Sequence, residues 1–236
     1  MISVDGEAAF ILHTRAYKES SLLVDLFTLN YGRVSAVARL SKKVSSRSRG
    51  VYQPFIPLKL DLVQSRGSLW TLKDAYMQRS CYIFNEKHML CAMYVNELML
   101  YLIKSHESAP KLFASYMRTM ESLETDKDCS YTLRCFENSL LEFLGYAIDY
   151  GNADAGQINP SYRYIFDVEN GFLLTKDLHI RTYSGQTLLR IKNQDSPESG
   201  ECRKVQKEVN KCIIDYLLEG KKLKSRELFS QFLMVK

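Results

Sequence analysis

The sequence predicts an α+β protein: a small five-stranded barrel, then a mainly helical domain with a small β-like insertion. Two observations carry this. Up to residue 80 the apolar residues alternate in short β-rich runs, and from Tyr82 they recur at helical spacing. A third fixes the insertion, because residues 149 to 180 lose the helical period and turn rich in Gly, Asn and Asp near their start.

Strands are expected at Ala8 to Leu12, Leu22 to Thr28, Val34 to Ala38, Phe55 to Val63 and Leu69 to Ala75. Turn chemistry at Asn30-Tyr31-Gly32 and Ser65-Arg66-Gly67 separates them. In the fourth run Leu58, Leu60 and Leu62 alternate with Pro57, Lys59 and Asp61, giving one apolar and one wet face. A long polar connection between the third and fourth strands is compatible with an OB-fold, and an SH3-like barrel reads much the same.

Leu90, Tyr94, Val95, Leu98, Tyr101 and Leu102, joined by Met93 and Met99, make the first helix apolar on more than one face, as at the centre of a bundle. Further helices are expected over Lys111 to Leu123, after Pro110, and over Tyr131 to Leu144, stopped by Gly145. Tyr162 to Val168 and Gly171 to Thr175 read as a hairpin. A long helix is expected to start with Ser196 as N-cap and Pro197 at its first position, run through Val205, Val209, Cys212, Ile213 and Tyr216, and close at Gly220. Ser225 is expected to cap a short final helix ending at Phe229, Phe232 and Leu233. The domain boundary is placed near Arg79, giving 1–79 and 80–236.

Charge is unevenly spread. The chain carries +5, yet residues 1–80 hold twelve Lys/Arg against six Asp/Glu, and the remainder holds 20 against 21. Between Asp25 and Asp61 there is no acid at all, while Arg33, Arg39, Lys42, Lys43, Arg47, Arg49 and Lys59 lie inside. A polyanion is the natural partner. The run from Arg39 to Gly50, with its four serines, is a self-repelling segment expected to order when phosphates neutralise it. Tyr31, Tyr52, Phe55 and Trp70 lie on or beside the strands where bases could stack, although such a ring is more often core than platform. A second basic cluster, Lys221, Lys222, Lys224 and Arg226, reads either as a further phosphate contact or as cations at a helix end.

Catalytic signatures do not emerge. No Gly-rich phosphate loop, paired His spacing or nucleophile motif occurs, so an enzyme is not expected. Asp5, Glu7 and Asp25 read as solvated acids at strand ends. The six cysteines form no Cys-x-x-Cys pair and four scattered histidines add no ligand spacing, so no metal and no cofactor is expected, and the cysteines read as small hydrophobes. The run Met89 to Ile103 contains Asn96 and Glu97, which argues against a membrane helix, and the acidic start through Asp5 and Glu7 argues against a secretory leader. A cytoplasmic setting is expected.

The order of several motifs resembles the RecO family of recombination mediators. Ala9 through Leu23, then Phe27-Thr28, Gly32-Arg33-Val34 and Val37-Ala38-Arg39, look like the family's first strands, and Gln53-Pro54-Phe55 like its fourth. Tyr94-Val95-Asn96-Glu97-Leu98, Leu133-Arg134 with Phe136-Glu137, Leu144-Gly145-Tyr146, Tyr162-Arg163-Tyr164 and Gly220 through Phe229 are similar to later motifs in the same order.

The resemblance implies an N-terminal OB-fold, a helical domain with a zinc-finger-like insertion, and a place beside the nucleoid. It also implies binding to single- and double-stranded DNA, annealing of complementary strands, and work with RecR to place RecA on strands coated by single-strand-binding protein. Many members hold zinc through two Cys-x-x-Cys pairs in the insertion. Residues 144 to 174 here contain no cysteine, so a zinc-free insertion is expected, stabilised by Tyr162, Tyr164, Phe166 and Phe172. By resemblance, Arg134 is the candidate for the carboxylates of the single-strand-binding protein tail, with Val95 and Leu98 as apolar lining or as ordinary bundle core. An adaptor only weakly tethered to DNA is the alternative function, and a metal-dependent nuclease a third reading.

Overall fold

The computed structural model describes residues 2–40, 50–64, 67–125, 128–177, 181–194 and 199–234. Strands β1 (Ile2–Tyr17), β2 (Ser21–Thr28), β3 (Gly32–Arg39), β4 (Leu58–Gln64) and β5 (Trp70–Met77) close a barrel in the order β1-β2-β3-β5-β4. Neighbours are antiparallel except β3 and β5, which run parallel. This is the OB-fold topology, and it resolves the two barrels that the alternating pattern allowed.

The first strand corrects the sequence reading. It spans 16 residues, well beyond Ala8 to Leu12, because it serves two partners: its first part pairs with β4 and its second with β2. The pairing shifts between Val4 and Glu7, where Gly6 takes φ +68°, a conformation glycine reaches without steric cost. That shift breaks the alternation on which the sequence reading relied. Ala9, Ile11, Val24, Leu26, Val34, Ala36, Ile56, Leu58, Leu60, Leu62 and Trp70 fill the interior.

Glu7, only 4% exposed, is not a solvated acid. Its carboxylate accepts hydrogen bonds from the backbone N–H of Asn30 (2.7 Å) and from the Asn30 side-chain amide (2.8 Å), fixing the β2–β3 turn.

Three helices follow: α1 (Glu86–Leu102), α2 (Pro110–Thr125) and α3 (Cys129–Phe143). Then come short strands β6 (Asn152–Ala153) and β7 (Gly156–Gln157), the hairpin β8 (Arg163–Asp167) and β9 (Gly171–Thr175), and β10 (Tyr183–Ser184), which pairs with β8. Helices α4 (Gly185–Lys192), α5 (Gly200–Leu217) and α6 (Lys224–Met234) complete the chain. The chain divides into two compact units, residues 1–133 with 223–236, and residues 134–222.

In the first unit α1 packs on β1. The Asn96 side-chain N–H donates to the Leu12 carbonyl (3.1 Å), and the Tyr116 hydroxyl donates to the Asn96 side-chain carbonyl (2.6 Å). Phe10 and Phe27, on the outside of the barrel, meet Phe113 and Tyr116 of α2 at ring separations of 4.9 to 5.9 Å. Val95 and Leu98 are wholly buried, as bundle core.

Three local readings need correction. Ser225 does not cap the last helix; it lies within α6, whose first N–H groups are held instead by Glu97 of α1. Helix α4, short and capped by the Ser184 hydroxyl accepting from the Thr187 N–H (3.1 Å), was not anticipated. In the insertion Phe172, Phe166 and Tyr164 are joined by Tyr150 and Tyr183, whereas Tyr162 is 52% exposed. Helix α5 is described from Gly200; the expected cap at Ser196 and Pro197 lies outside the described residues.

Candidate nucleic-acid interface

Alternation on β3 sends Val34, Ala36 and Ala38 inward, so Arg33, Ser35, Val37 and Arg39 face out. Register lines them up in rows: Phe10, Phe27 and Arg33; His13, Asp25 and Ser35; Arg15, Leu23 and Val37; Tyr17, Ser21 and Arg39. The first row is covered by the helices, and the last two are open.

This separates two arginines that look alike in sequence. Arg33 Nε donates to the Ile103 carbonyl (2.8 Å), its Nη2 donates to the Ser105 hydroxyl (3.3 Å), and its own carbonyl accepts from the His106 N–H (2.9 Å). It fastens the barrel to the segment after α1. Arg39 is exposed at the other end, where Leu40 N–H donates to the Ser20 carbonyl (2.8 Å). Arg15 and Lys18 are exposed there too, with the Lys18 ammonium 5.3 Å from the Tyr17 ring centre. Glu19 is exposed in the same turn, and Asp25, within the face, is 9% exposed and accepts from the Ser35 hydroxyl (2.7 Å), with His13 Nδ1 at 3.7 Å.

The outer side of β4 and β5 carries both signs, with Lys59 and Lys73 exposed beside Asp61 and Asp74. Asp61 and Asp74 stand across from each other on β4 and β5, next to the pair Lys59 and Tyr76. The field of Asp74, followed by partial burial and by Asp61, raises the Tyr76 phenol above its ordinary pKa. The cationic excess of the barrel's described strands and turns therefore lies at the open end of the β1–β3 face, with Arg15, Lys18 and Arg39 against Glu19. Lys42, Lys43, Arg47 and Arg49 lie outside the described residues; in the chain they follow directly from Arg39 and Leu40.

The aromatic candidates divide as well. Trp70 is 2% exposed and Phe55 is 7% exposed, so neither presents a face for stacking. Tyr31 and Tyr52 are half-buried, Tyr31 with its ring edge-on to Trp70 at 5.2 Å. Sequence reading missed Arg15, Tyr17 and Lys18. Their signal was the cation–aromatic–cation spacing just before the β1–β2 turn.

In the second unit Arg134 is spent largely on a neighbour. Its guanidinium donates to the Glu137 carboxylate through Nη2 (2.6 Å) and stands 2.5 Å away through Nη1, and the two side chains are 11% and 1% exposed. The Asn210 amide donates to Glu137 (3.1 Å) and to the Asn138 side-chain carbonyl (2.8 Å). Among the described residues the buried Arg134 Nε meets no acceptor.

Residues 3–80 match the family described as Recombination protein O N terminal, and residues 87–191 match Recombination protein O C terminal. The chain belongs to the RecO family. It is 34% identical to DNA repair protein RecO of Methylococcus capsulatus over 94% of this chain and 91% of that protein. It is 33% identical to DNA repair protein RecO of Marinobacter nauticus, over 97% and 95% of the two chains. The Yersinia enterocolitica protein of the same name is 32% identical, again over 97% and 95%. As a RecO-family member the chain is assigned to DNA repair.

The zinc-holding pairs of many RecO-family members have no counterpart here. Residues 149–180 contain no cysteine and one histidine, His179, so the soft ligands that such a site needs are missing. Among the described residues no group of three or more His, Cys, Asp or Glu is placed to hold a metal, and no helix is long and apolar enough to cross a membrane. The second basic cluster is dispersed in role: Lys221 and Lys222 are exposed after α5, Lys224 is exposed at the start of α6, and the Arg226 guanidinium lies 5.6 Å from the Tyr94 ring centre.

Proposed function

We propose that the chain is a non-catalytic recombination mediator that binds single- and double-stranded DNA on the β1–β3 face of its barrel and anneals complementary strands. The observation that carries this reading is the open end of that face. Arg15, Lys18 and Arg39 stand exposed there, and the acid-free run with Lys42, Lys43, Arg47 and Arg49 continues from it. Cations on one surface draw two strands together and screen their repulsion, while base pairing supplies the specificity. Lys221, Lys222 and Lys224 add secondary phosphate contacts.

In this reading residues 1–79 are the DNA-binding domain. Residues 80–236, with the insertion at about 149–180, meet protein partners: RecR, and the acidic tail of single-strand-binding protein, so that RecA is loaded onto the coated strand. Arg134, 11% exposed, is the candidate partner of a tail carboxylate. Val95 and Leu98 support the bundle and offer the tail no surface. The protein works in the cytoplasm, beside the nucleoid.

The deciding experiment is binding of a fluorescent single-stranded oligonucleotide at several salt concentrations, with annealing followed in the same samples. Salt-steep binding with annealing, both weakened when Arg15, Lys18 and Arg39 are neutralised together, supports the mediator. Binding that ignores salt, or that persists unchanged in the triple variant, overturns the assignment to this face.

A further inference from the structure

We propose that the open cavity beside the β8–β9 hairpin docks a basic segment of a protein partner, taking an arginine or lysine together with an apolar neighbour. The cavity measures about 610 Å³, within the range of sites that hold a ligand, and lies wholly in the second unit. Four parts of the chain build it: the residues after α3, β6 with Asp154, the β8–β9 hairpin, and Ile213 of α5. Phe172 and Ile213, 1% and 2% exposed, form its base, and half-buried Tyr146, Ile148, Phe166 and Val168 form its walls. The Phe166 ring meets Phe172 edge to face at 5.1 Å, and Tyr146 meets Tyr216 at 6.4 Å, so the aromatic lining is held in place by its own neighbours.

Charge in this lining has one sign. Asp149, Asp154 and Glu169 stand exposed in it, and it contains no Lys, Arg or His. Each carboxylate is oriented by the protein. Asp149 accepts from the Gly151 N–H (2.7 Å) and the Asn152 side-chain amide (2.7 Å), Asp154 Oδ1 accepts from the Leu174 N–H (3.0 Å), and Glu169 Oε1 accepts from the Tyr216 hydroxyl (3.1 Å). The Asn152 and Gly151 contacts hold Asp149 below the usual carboxylate range, with Lys192 adding to the field there from outside the lining. Asp154 Oδ2 and Glu169 Oε2 meet no donor among the described residues.

These features select the occupant. Three carboxylates repel phosphate, which rules against nucleic acid here. A bare metal ion fits no better, because among the described residues no group of three or more His, Cys, Asp or Glu is placed to hold one; the acids are spread around the cavity instead of converging. A long cationic side chain satisfies both halves of the site. Its methylene stem lies along the apolar wall while its charged head reaches the carboxylates, and a guanidinium also stacks on Tyr146 or Phe166. One such side chain leaves much of the volume empty, and an adjacent apolar residue over Phe172 and Ile213 fills it. The site is opposite in sign to the one the acidic tail needs at Arg134, and it stands apart from the DNA reading of the barrel.

The test uses the full-length protein without DNA, so its outcome is separate from that of the annealing experiment. A random heptapeptide phage library is first depleted on Asp154→Asn/Glu169→Gln, which keeps an acceptor oxygen at both positions and removes two charges, and is then selected on the unmodified protein. The expected pool carries Arg or Lys beside an apolar residue. A selected peptide, synthesised with a fluorescent label, should lose affinity about five- to tenfold in the double variant, as removal of two exposed charge contacts does. Ala147→Arg, which sets a cation into the exposed part of the lining, should weaken the peptide as much while the circular dichroism stays unchanged. A depleted pool with no basic consensus, equal peptide affinity for the unmodified protein and both variants, or displacement of the peptide by an equal concentration of spermidine overturns the proposal.

Discussion

Glu97 caps a helix that lies far from it in sequence. Its carboxylate accepts from the N–H groups of Lys224 and Ser225, both at 2.9 Å, and from the Ser225 hydroxyl at 2.6 Å. One side chain of α1 thus satisfies two of the N–H groups that a helix start leaves unpaired, and places a negative charge at the positive end of the dipole. Glu97→Ala should loosen α6 by about 1–2 kcal/mol, as loss of a charged cap does. Hydrogen exchange should then quicken over 224–234 and leave the barrel amides unchanged; uniform quickening would refute the local role.

Gly32 has φ +62°, and a Cβ on it would stand 1.9 Å from the Glu107 carbonyl oxygen. Both facts oppose any side chain. Gly32→Ala should cost more than about 2 kcal/mol, combining left-handed strain with displacement of the 105–107 backbone. Urea denaturation against the unmodified chain measures it.

Arg33 and Arg39 should behave as opposites. Arg39→Ala is expected to leave stability within about 0.5 kcal/mol and lower the salt slope of single-strand binding by roughly 0.7. Arg33→Ala should lower the unfolding midpoint and leave the slope unchanged, because its donors already serve Ile103 and Ser105. Equal slopes for the two variants would show that the uncovered end of the β1–β3 face is not where phosphates bind.

Arg134→Ala carries a confounding cost, since it leaves Glu137 charged and 1% exposed beside Asn210. Breaking one partner of such a buried pair costs about 3–5 kcal/mol. The double variant Arg134→Met/Glu137→Met removes both charges and should recover much of that loss. Tail-peptide affinity measured in the double variant, checked for folding by circular dichroism, isolates the recognition role of Arg134.

Acid should release the segment after β5. Glu124 accepts from the Ile83 N–H (2.9 Å) and from Arg79 (2.8 Å), and these contacts, the Ile83 bond foremost, hold its pKa below the ordinary 4.5. A depressed folded-state value means the stabilisation is complete above pH 4.5 and disappears as pH falls through the folded value. Amides near Ile83 should lose protection in that acidic window, and Glu124→Gln should flatten the pH dependence.

Much of the barrel was legible because β2 and β3 alternate cleanly and end at real turns, so their limits fall within a residue or two of the expectation. β1 was truncated in that reading because a strand that changes partners at a bulge does not keep one period. α4 spans eight residues, too few for a helical period to declare itself, and its Ser184 cap is the only local mark. Distant contacts were the hidden part. Nothing in the residues around Ser225 shows that a carboxylate from position 97 reaches it, and nothing around Arg33 shows the carbonyl of Ile103 seventy residues away. The basic stretch shows in the sequence as a surplus of cations; which arginine stays exposed depends on where the helices settle.

The single tryptophan sits inside the barrel rather than on it. Its indole, 2% exposed and edge-on to Tyr31, is shielded from solvent, so its emission should be blue and hard to quench with acrylamide or iodide. Oligonucleotide laid on the outer face should leave that light almost unaltered. Opening of the barrel should redden it at once, which makes the native fluorescence an optical gauge of barrel closure that runs independently of occupancy.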